Sequence, residues 1–578
     1  MMFRFKRNRN TEIDPNEIFL DSRNLPNFNV QQFEGRIEKT LPKYTVVSLG
    51  IFFVIVQAIF LWKVWTLQIL QGSDLKKRAE NNRLEQSTIF GDRGIIYDKN
   101  KVPLAWNVLS DNVQLWENAT TTNGASGALN DFSLRKYIDS PGFSHILGYI
   151  SYPAKDSSGY YYTTEYGGKD GVEKIYNTSL NGTTGIKIQE VDALSKVHSE
   201  SVIEQPINGN DLNLTIDSRV QKELYKVISD AAISSGFRAG AAVIMDVKTG
   251  EILAMTSYPE YSSQVLTDGS DRKTIASYRT NTGTPYLDRA VSGLYTPGSI
   301  VKPFMAIAAL DLGIISPEKK ILSTGSISIP NPYFPDQPSV FKDWKAHGWV
   351  DMRDAIAVSS DVYFYAIGGG YKDQKGIGIA NIDKYMRMFG FGSKTGIDVE
   401  GEAEGSIPTP EWKEKNFADG TWLLGDTYHT AIGQYGFQVS PIQAVHAVSS
   451  IATKGTLVTP HIVMNSVIQK KELTNISSSY FEVAGEGMRR GVLYGIAGAL
   501  NVRTVNIAAK TGTAELGVKK DMVNSWITGF FPYENPRYAF ALVMERGPVK
   551  YTQGAPATMR LMIDWMGIYT PEYFKTTK

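Results

Sequence analysis

The chain has 578 residues, 42% hydrophobic and 21% charged, which is too long for one ordinary domain and too apolar for wholesale disorder. Lys plus Arg at 60 against Asp plus Glu at 59 leave a net charge of +1, so there is no basic excess for phosphates and nucleic acid is a poor partner. Cysteine is absent, which removes disulfides, thiol nucleophiles and cysteine-ligated metals and leaves oxygen or nitrogen nucleophiles for any chemistry.

Residues 1–43 form an arm with eight Lys or Arg, among them Arg4, Lys6, Arg7 and Arg9. Nineteen uncharged residues follow, from Tyr44 to Trp62. As a helix rising about 1.5 Å per residue they nearly cross a hydrocarbon core of about 30 Å, and a continuation to residue 70 completes the crossing. Apolarity on all sides favours a membrane span over a core helix. The basic arm places the N-terminus in the cytoplasm and the rest outside. The stretch exceeds a signal-peptide core and lacks a small-residue cleavage site, so it reads as an uncleaved anchor in the cell membrane.

Residues 71–210 are polar and rich in Gly, Ser, Tyr and Thr, with turn signals at Ser158-Gly159 and Asn181-Gly182. An irregular, mostly β pedestal is expected there. From residue 211 onward the texture changes. Residues 219–235 have helical spacing, and 239–247 and 251–257 read as strands joined by a turn at Lys248-Thr249-Gly250. These open an α+β domain over 211–578 whose last strand is RYAFALVME, with the chain expected to end soon after it.

Serine three residues before lysine occurs at least three times, among them at Ser73, Ser299 and Ser316, so spacing alone cannot choose a nucleophile. Ser316 precedes Pro317-Glu318 and reads as a helix cap. Ser73 lies in a charged stretch beside the anchor. Ser299 follows Tyr295-Thr296-Pro297-Gly298 and precedes an apolar run to Leu312, which places it at a helix start with Lys302 on the same face. The free N–H groups and dipole of a helix start suit an oxyanion beside that serine. Lys-Thr-Gly also occurs three times, at Lys248, Lys394 and Lys510. The first looks like a hairpin turn and the second lies in a loop. Lys510 continues a strand into Thr511-Gly512-Thr513, where glycine lets a ligand approach closely. Between these motifs Ser359-Ser360-Asp361 leads into an aromatic-rich helix. Serine-lysine, serine-x-aspartate and lysine-threonine-glycine in this order form a joint signal.

On these motifs the chain resembles the class B penicillin-binding proteins, over nearly everything from the anchor onward. Arg93-Gly94-Ile95-Ile96-Tyr97-Asp98 looks like the family's pedestal motif. Asp343-Trp344-Lys345 with His347-Gly348, and Ser359-Ser360-Asp361 before Tyr363-Phe364-Tyr365, look most like the elongation type, penicillin-binding protein 2. Gly433-Gln434-Tyr435-Gly436 departs from the Gly-Gln-Gly of many relatives.

The resemblance implies a single transmembrane helix, a mostly β pedestal and a β-lactamase-like transpeptidase domain, an antiparallel sheet with helices on both faces. It implies a peptidoglycan D,D-transpeptidase of wall elongation, inhibited covalently by β-lactams and needing no cofactor or metal. In that reading Ser299 attacks a D-Ala-D-Ala carbonyl. Lys302 serves as base, if a desolvated, cation-crowded site lowers its pKa. Ser359 relays the proton, and Asp361 orients the lysine network or caps the following helix. Lys510, Thr511, Gly512 and Thr513 bind substrate, and the N–H groups of Ser299 and Thr513 hold the oxyanion. Implied partners are stem peptides, the membrane and a RodA-like SEDS glycosyltransferase. Division or sporulation types are alternatives. A class A β-lactamase would need Glu-x-x-Leu-Asn, and a β-lactam sensor a His-Glu-x-x-His protease; neither occurs, nor do the six histidines form such a pair.

Overall fold

The computed structural model describes residues 42–81, 84–109, 131–157, 159–191, 197–331, 333–334, 336–517, 519–551 and 554–575. Residues 1–41 of the basic arm, with Arg4, Lys6, Arg7 and Arg9, lie outside them, as does Ser158 of the first turn signal. The described residues form two compact units, one holding those up to residue 85 and those of 190–199, the other holding 86–189 and 200–578.

In the first unit, α1 (Lys43–Trp65) runs on through a π-helical turn at Thr66–Leu70. The combined segment spans 28 residues, and an 18-residue window within it has a mean hydropathy of 2.3 and buries none of its side chains. It is therefore long and apolar enough to cross a membrane. A shorter helix, Gly72–Asn81, contains Ser73.

In the second unit the pedestal is built of short pieces, as its turn-rich sequence implies. Its four-stranded sheet runs in the order Leu212–Asn213, Ile96–Tyr97, Pro103–Val108, Leu134–Tyr137. The Arg93–Asp98 motif ties this sheet to its surroundings at both ends. Arg93 is buried and its Nε donates to Glu173 Oε2 at 2.6 Å, while Arg135 Nε donates to Glu173 Oε1 at 2.8 Å. Asp98 accepts from the Ser218 backbone N–H at 3.1 Å and from Ser218 Oγ at 2.7 Å. It thus helps cap α2 (Ser218–Ser235), whose own cap Asp217 accepts from Arg219 N at 3.0 Å.

The second unit continues in chain order as β1 (Ala239–Asp246), β2 (Ile252–Tyr258), α3 (Lys302–Asp311), α4 (Met352–Val358) and α5 (Asp361–Gly369). Then come α6 (Pro410–Asn416), α7 (Leu424–Ala431), α8 (Pro441–Ala452) and α9 (Ser478–Leu493). The last elements are β3 (Ala508–Leu516), β4 (Met522–Phe531), β5 (Tyr538–Pro548) and α10 (Gly554–Tyr569). The five strands form one antiparallel sheet in the order β2-β1-β5-β4-β3. Because both faces are covered, β1 is apolar at nearly every position instead of alternating. Ala241 and Val243 pack with Trp526, Val543, Phe304, Ile442 and Met488 on the face of α3, α8 and α9. Ala242 and Ile244 pack with Leu224, Ile228, Met559 and Ile563 on the face of α2 and α10. The sixteen-residue α10 after the last strand is an element the sequence reading does not provide.

The expected hairpin at Lys248-Thr249-Gly250 is present, with Gly250 at φ 86 and Asp246 Oδ1 accepting from Lys248 N at 2.9 Å. Lys394 to Gly396 lies in a loop, as expected. Ser316 caps no helix, contrary to expectation. Residues 316–319 make a turn closed by Lys319 N to Ser316 O at 3.2 Å, and the strand Ile321–Ser323 begins too soon for a helix to form.

Candidate active site

Ser299 stands in a 3-10 turn, Gly298–Val301, that feeds directly into α3. The turn presses on the outer edge of β3. A Cβ placed on Gly298 would lie 2.7 Å from Thr513 O, and one on Gly512 would lie 2.6 Å from Pro297 O, so only glycines permit this approach. Ser299 is half-buried, whereas Lys302, the first residue of α3, has 0% exposure.

Burying an ammonium requires partners. Lys302 Nζ donates to Asp361 Oδ1 at 2.6 Å, to the Ser359 carbonyl at 2.8 Å and to Ser359 Oγ at 3.2 Å. The Ser359 hydroxyl also accepts from Lys510 Nζ at 2.9 Å, and Lys510 further donates to the Thr511 carbonyl at 2.8 Å. Burial first, and the nearby Lys302 charge second, hold the Lys510 ammonium well below the usual lysine range, with Asp361 opposing. With Ser359 Oγ accepting from both lysines, its own proton is left to donate elsewhere.

Ser359 reaches this place through an uncommon backbone. It ends α4 at φ 58, ψ 43, in the left-handed region that disfavours a side chain. Ser360 then caps α5, its Oγ accepting from Tyr363 N at 3.3 Å. The cap role open to Asp361 therefore belongs to Ser360. Asp361 is the first helical residue, where a carboxylate is favoured by the helix dipole, and it faces Lys302.

Asp343 anchors this bend, a role not apparent from its place in the sequence motif. Its Oδ2 accepts from Ser360 Oγ at 2.9 Å, Val362 N at 3.0 Å and Ser323 Oγ at 3.2 Å, while Oδ1 accepts from Trp344 N at 2.8 Å. Gln434 is a second unforeseen contributor, its Nε2 reaching the Thr513 carbonyl at 3.4 Å.

The strand β3 pairs with β4 without a bulge, with Thr511 opposite Ile527 and Thr513 opposite Ser525. The Thr511 carbonyl accepts from Lys510 Nζ. In an extended strand the N–H and C=O of one residue point to the same side. Since the Thr513 carbonyl faces Gln434 and the Gly298 turn, its N–H faces that edge as well. The arrangement gathers a half-buried serine, two lysines, a second serine hydroxyl and a main-chain donor around one edge of the sheet. Ser73 and Ser316 take no part in the hydrogen bonds of this cluster, nor do Lys248 and Lys394.

Residues 240–562 match the family model of the penicillin binding protein transpeptidase domain, and residues 128–214 that of the penicillin-binding protein dimerisation domain. Peptidoglycan D,D-transpeptidase MrdA of Escherichia coli K12 is 28% identical over 87% of this chain and 90% of its own length. The MrdA of Acinetobacter baumannii is 32% identical over 70% of this chain and 62% of its own. The structure of Pseudomonas aeruginosa PBP2 in complex with WCK 5153 is 29% identical, covers 83% of this chain and 97% of that one, and superposes with a TM-score of 0.64. Helicobacter pylori PBP2 in complex with MreC is 27% identical over 85% of this chain and 100% of that one, with a TM-score of 0.68. The matched transpeptidase domain, the pedestal before it and these relatives together show that the chain belongs to the penicillin-binding protein transpeptidase family, as a class B member of the PBP2 type.

Proposed function

We propose that the chain is an elongation-type peptidoglycan D,D-transpeptidase that works through an acyl-enzyme on Ser299. The observation that carries this reading is the convergence of Lys302 and Lys510 on Ser359 Oγ, beside a serine turn seated on the edge of β3. In the proposed reaction Lys302 takes the Ser299 proton while Oγ bonds to the carbonyl carbon of the penultimate D-Ala. The N–H groups of Ser299 and Thr513 hold the oxyanion. The C–N bond then breaks, and the departing D-Ala amine receives a proton by way of Ser359. Attack by the amine of a second stem peptide forms the cross-link and restores Ser299. Lys510, with Thr511 and Thr513, grips the terminal carboxylate and aligns the donor, and Gly512 keeps the approach open.

The division we propose is an arm over 1–43, an anchor over 44–70, a pedestal over 71–210 and a transpeptidase domain over 211–578. The apolar α1 supports a single pass through the cell membrane, and the basic arm supports a cytoplasmic N-terminus with the catalytic domain outside. We further propose that α1, apolar on every side, and the pedestal contact a RodA-like SEDS glycosyltransferase, with β-lactams as covalent inhibitors. Mass spectrometry of a tryptic digest after penicillin treatment tests the central reading. The adduct is expected on the peptide carrying Ser299, and an adduct elsewhere, or none, defeats it.

A further inference from the structure

Residues 433–439 run beside residues 295–298, the lead-in to Ser299. Gly298 N donates to Gly433 O at 2.9 Å, Tyr295 and Val439 exchange two backbone hydrogen bonds at 2.9 Å, and Gln438 Nε2 donates to Thr296 Oγ1 at 3.1 Å. From the sheet side Trp526 Nε1 donates to Thr296 O at 3.1 Å. The nucleophile turn is therefore held between the sheet and this stretch. Gln434 links the two supports, with its Nε2 3.4 Å from Thr513 O.

Tyr435 lies within this stretch at φ 63, in the left-handed region that disfavours a residue with a side chain. Its neighbours leave no slack. A Cβ on Gly433 would fall 2.2 Å from Gly298 O, and one on Gly436 would fall 2.3 Å from the Trp412 ring. The Tyr435 ring stacks on Phe417 with centroids 6.0 Å apart and planes 5° apart, and meets Trp412 at 5.8 Å and Trp422 at 5.9 Å edge-on. Lys413 of α6 lies 5.8 Å from the same ring, itself fixed by Asp426 Oδ2 at 2.7 Å and Thr421 O at 2.6 Å. Strained residues persist where their surroundings over-determine them, commonly next to functional sites.

We infer that Tyr435, clamped among Trp412, Phe417 and Trp422, is a positioning residue that holds Gln434 on Thr513 and Gly433 on Gly298, and so sets Ser299 against the oxyanion-binding edge of β3. The inference rests on the transpeptidase reading of Ser299. It explains why a side chain is tolerated where glycine would be unstrained: the ring supplies the clamp.

The full-length chain in detergent is acylated with a fluorescent penicillin over a range of concentrations. Rates are expressed per folded molecule, and the thermal midpoint is recorded in parallel. Tyr435→Gly, which relieves the backbone and removes the ring, should lower the limiting acylation rate by about tenfold or more with the half-saturating concentration little changed, as expected for misplaced reacting groups. Tyr435→Phe should restore the rate. A Tyr435→Gly rate within about twofold of the parent overturns the inference, as does a Tyr435→Phe rate as low as that of Tyr435→Gly. If Tyr435→Gly does not fold, Phe417→Ala carries the test, and an unchanged rate there overturns the inference. Absence of labelling in the parent chain would instead defeat the transpeptidase reading.

Discussion

Lys510 donates to the Ser359 hydroxyl at 2.9 Å although 151 residues separate them in the chain. The bond ties β3 to the bend between α4 and α5, so a change at either residue is felt by the other and by Lys302.

Ser299→Ala should abolish covalent penicillin labelling with little change in thermal midpoint, since the loss is one hydroxyl at a half-buried position. Ser73→Ala and Ser316→Ala should label normally. Because Ser316 closes a turn through its carbonyl, its substitution should not show the loss of about 1 kcal/mol typical of a helix cap. Lys510→Ala should slow labelling markedly, whereas Lys248→Ala, in a hairpin turn, and Lys394→Ala, in a loop, should not. Gel fluorescence at fixed times ranks all six.

Ser359→Gly should separate stability from activity. Glycine adopts the φ of 58 without penalty, so the thermal midpoint should hold or rise. Loss of the relaying hydroxyl should lower the acylation rate by about 100-fold, within the range for general acid-base groups. A parallel fall in both would point to a structural role for this serine.

Glu173→Gln should destabilise the pedestal by about 3–5 kcal/mol, because it leaves two buried guanidinium groups, Arg93 and Arg135, without a counter-charge. Urea midpoints should show this, with Lys155→Ala, which breaks an exposed pair with Asp131, shifting the midpoint far less.

His446 is buried in α8, and burial first, with Lys471 second, lowers its pKa to about 4. An unfolded histidine titrates near 6.5. Between those values the unfolded chain binds a proton that the folded chain refuses, so stability is intact above about pH 6.5 and falls as the solution is acidified towards pH 4. The contribution is about 3 kcal/mol across that window. Denaturation at pH 7.5 and 4.5 should show a smaller acid loss for His446→Leu than for the parent chain, and equal losses would remove this group as the cause.

The places of Ser299, Lys302 and Lys510 are legible in the sequence because each sits on a regular element with a recognisable flank. Ser299 precedes an apolar helix, Lys510 continues a strand, and their order resolves the decoys. Asp343 is not, because the groups it binds come from Ser323, Ser360 and Val362, and their meeting is a product of tertiary folding. Helix α10 has clear helical spacing at Ala555, Met559, Met562, Ile563 and Met566, yet the strong strand pattern just before it draws attention away. Ser316 has the composition of a cap but too few residues before the next strand to use it.

β3 ends its sheet, and an outermost strand offers its unpaired main chain to any extended segment. Here the turn at Gly298 stands over that edge at Thr513 and limits who can reach it. An extended peptide that paired with this edge would be recognised first by backbone geometry and only then by side chains. The same edge carries a hazard. A variant that loosens the turn would uncover a ready template for strand pairing between molecules, and its first symptom should be self-association, ahead of any loss of the core.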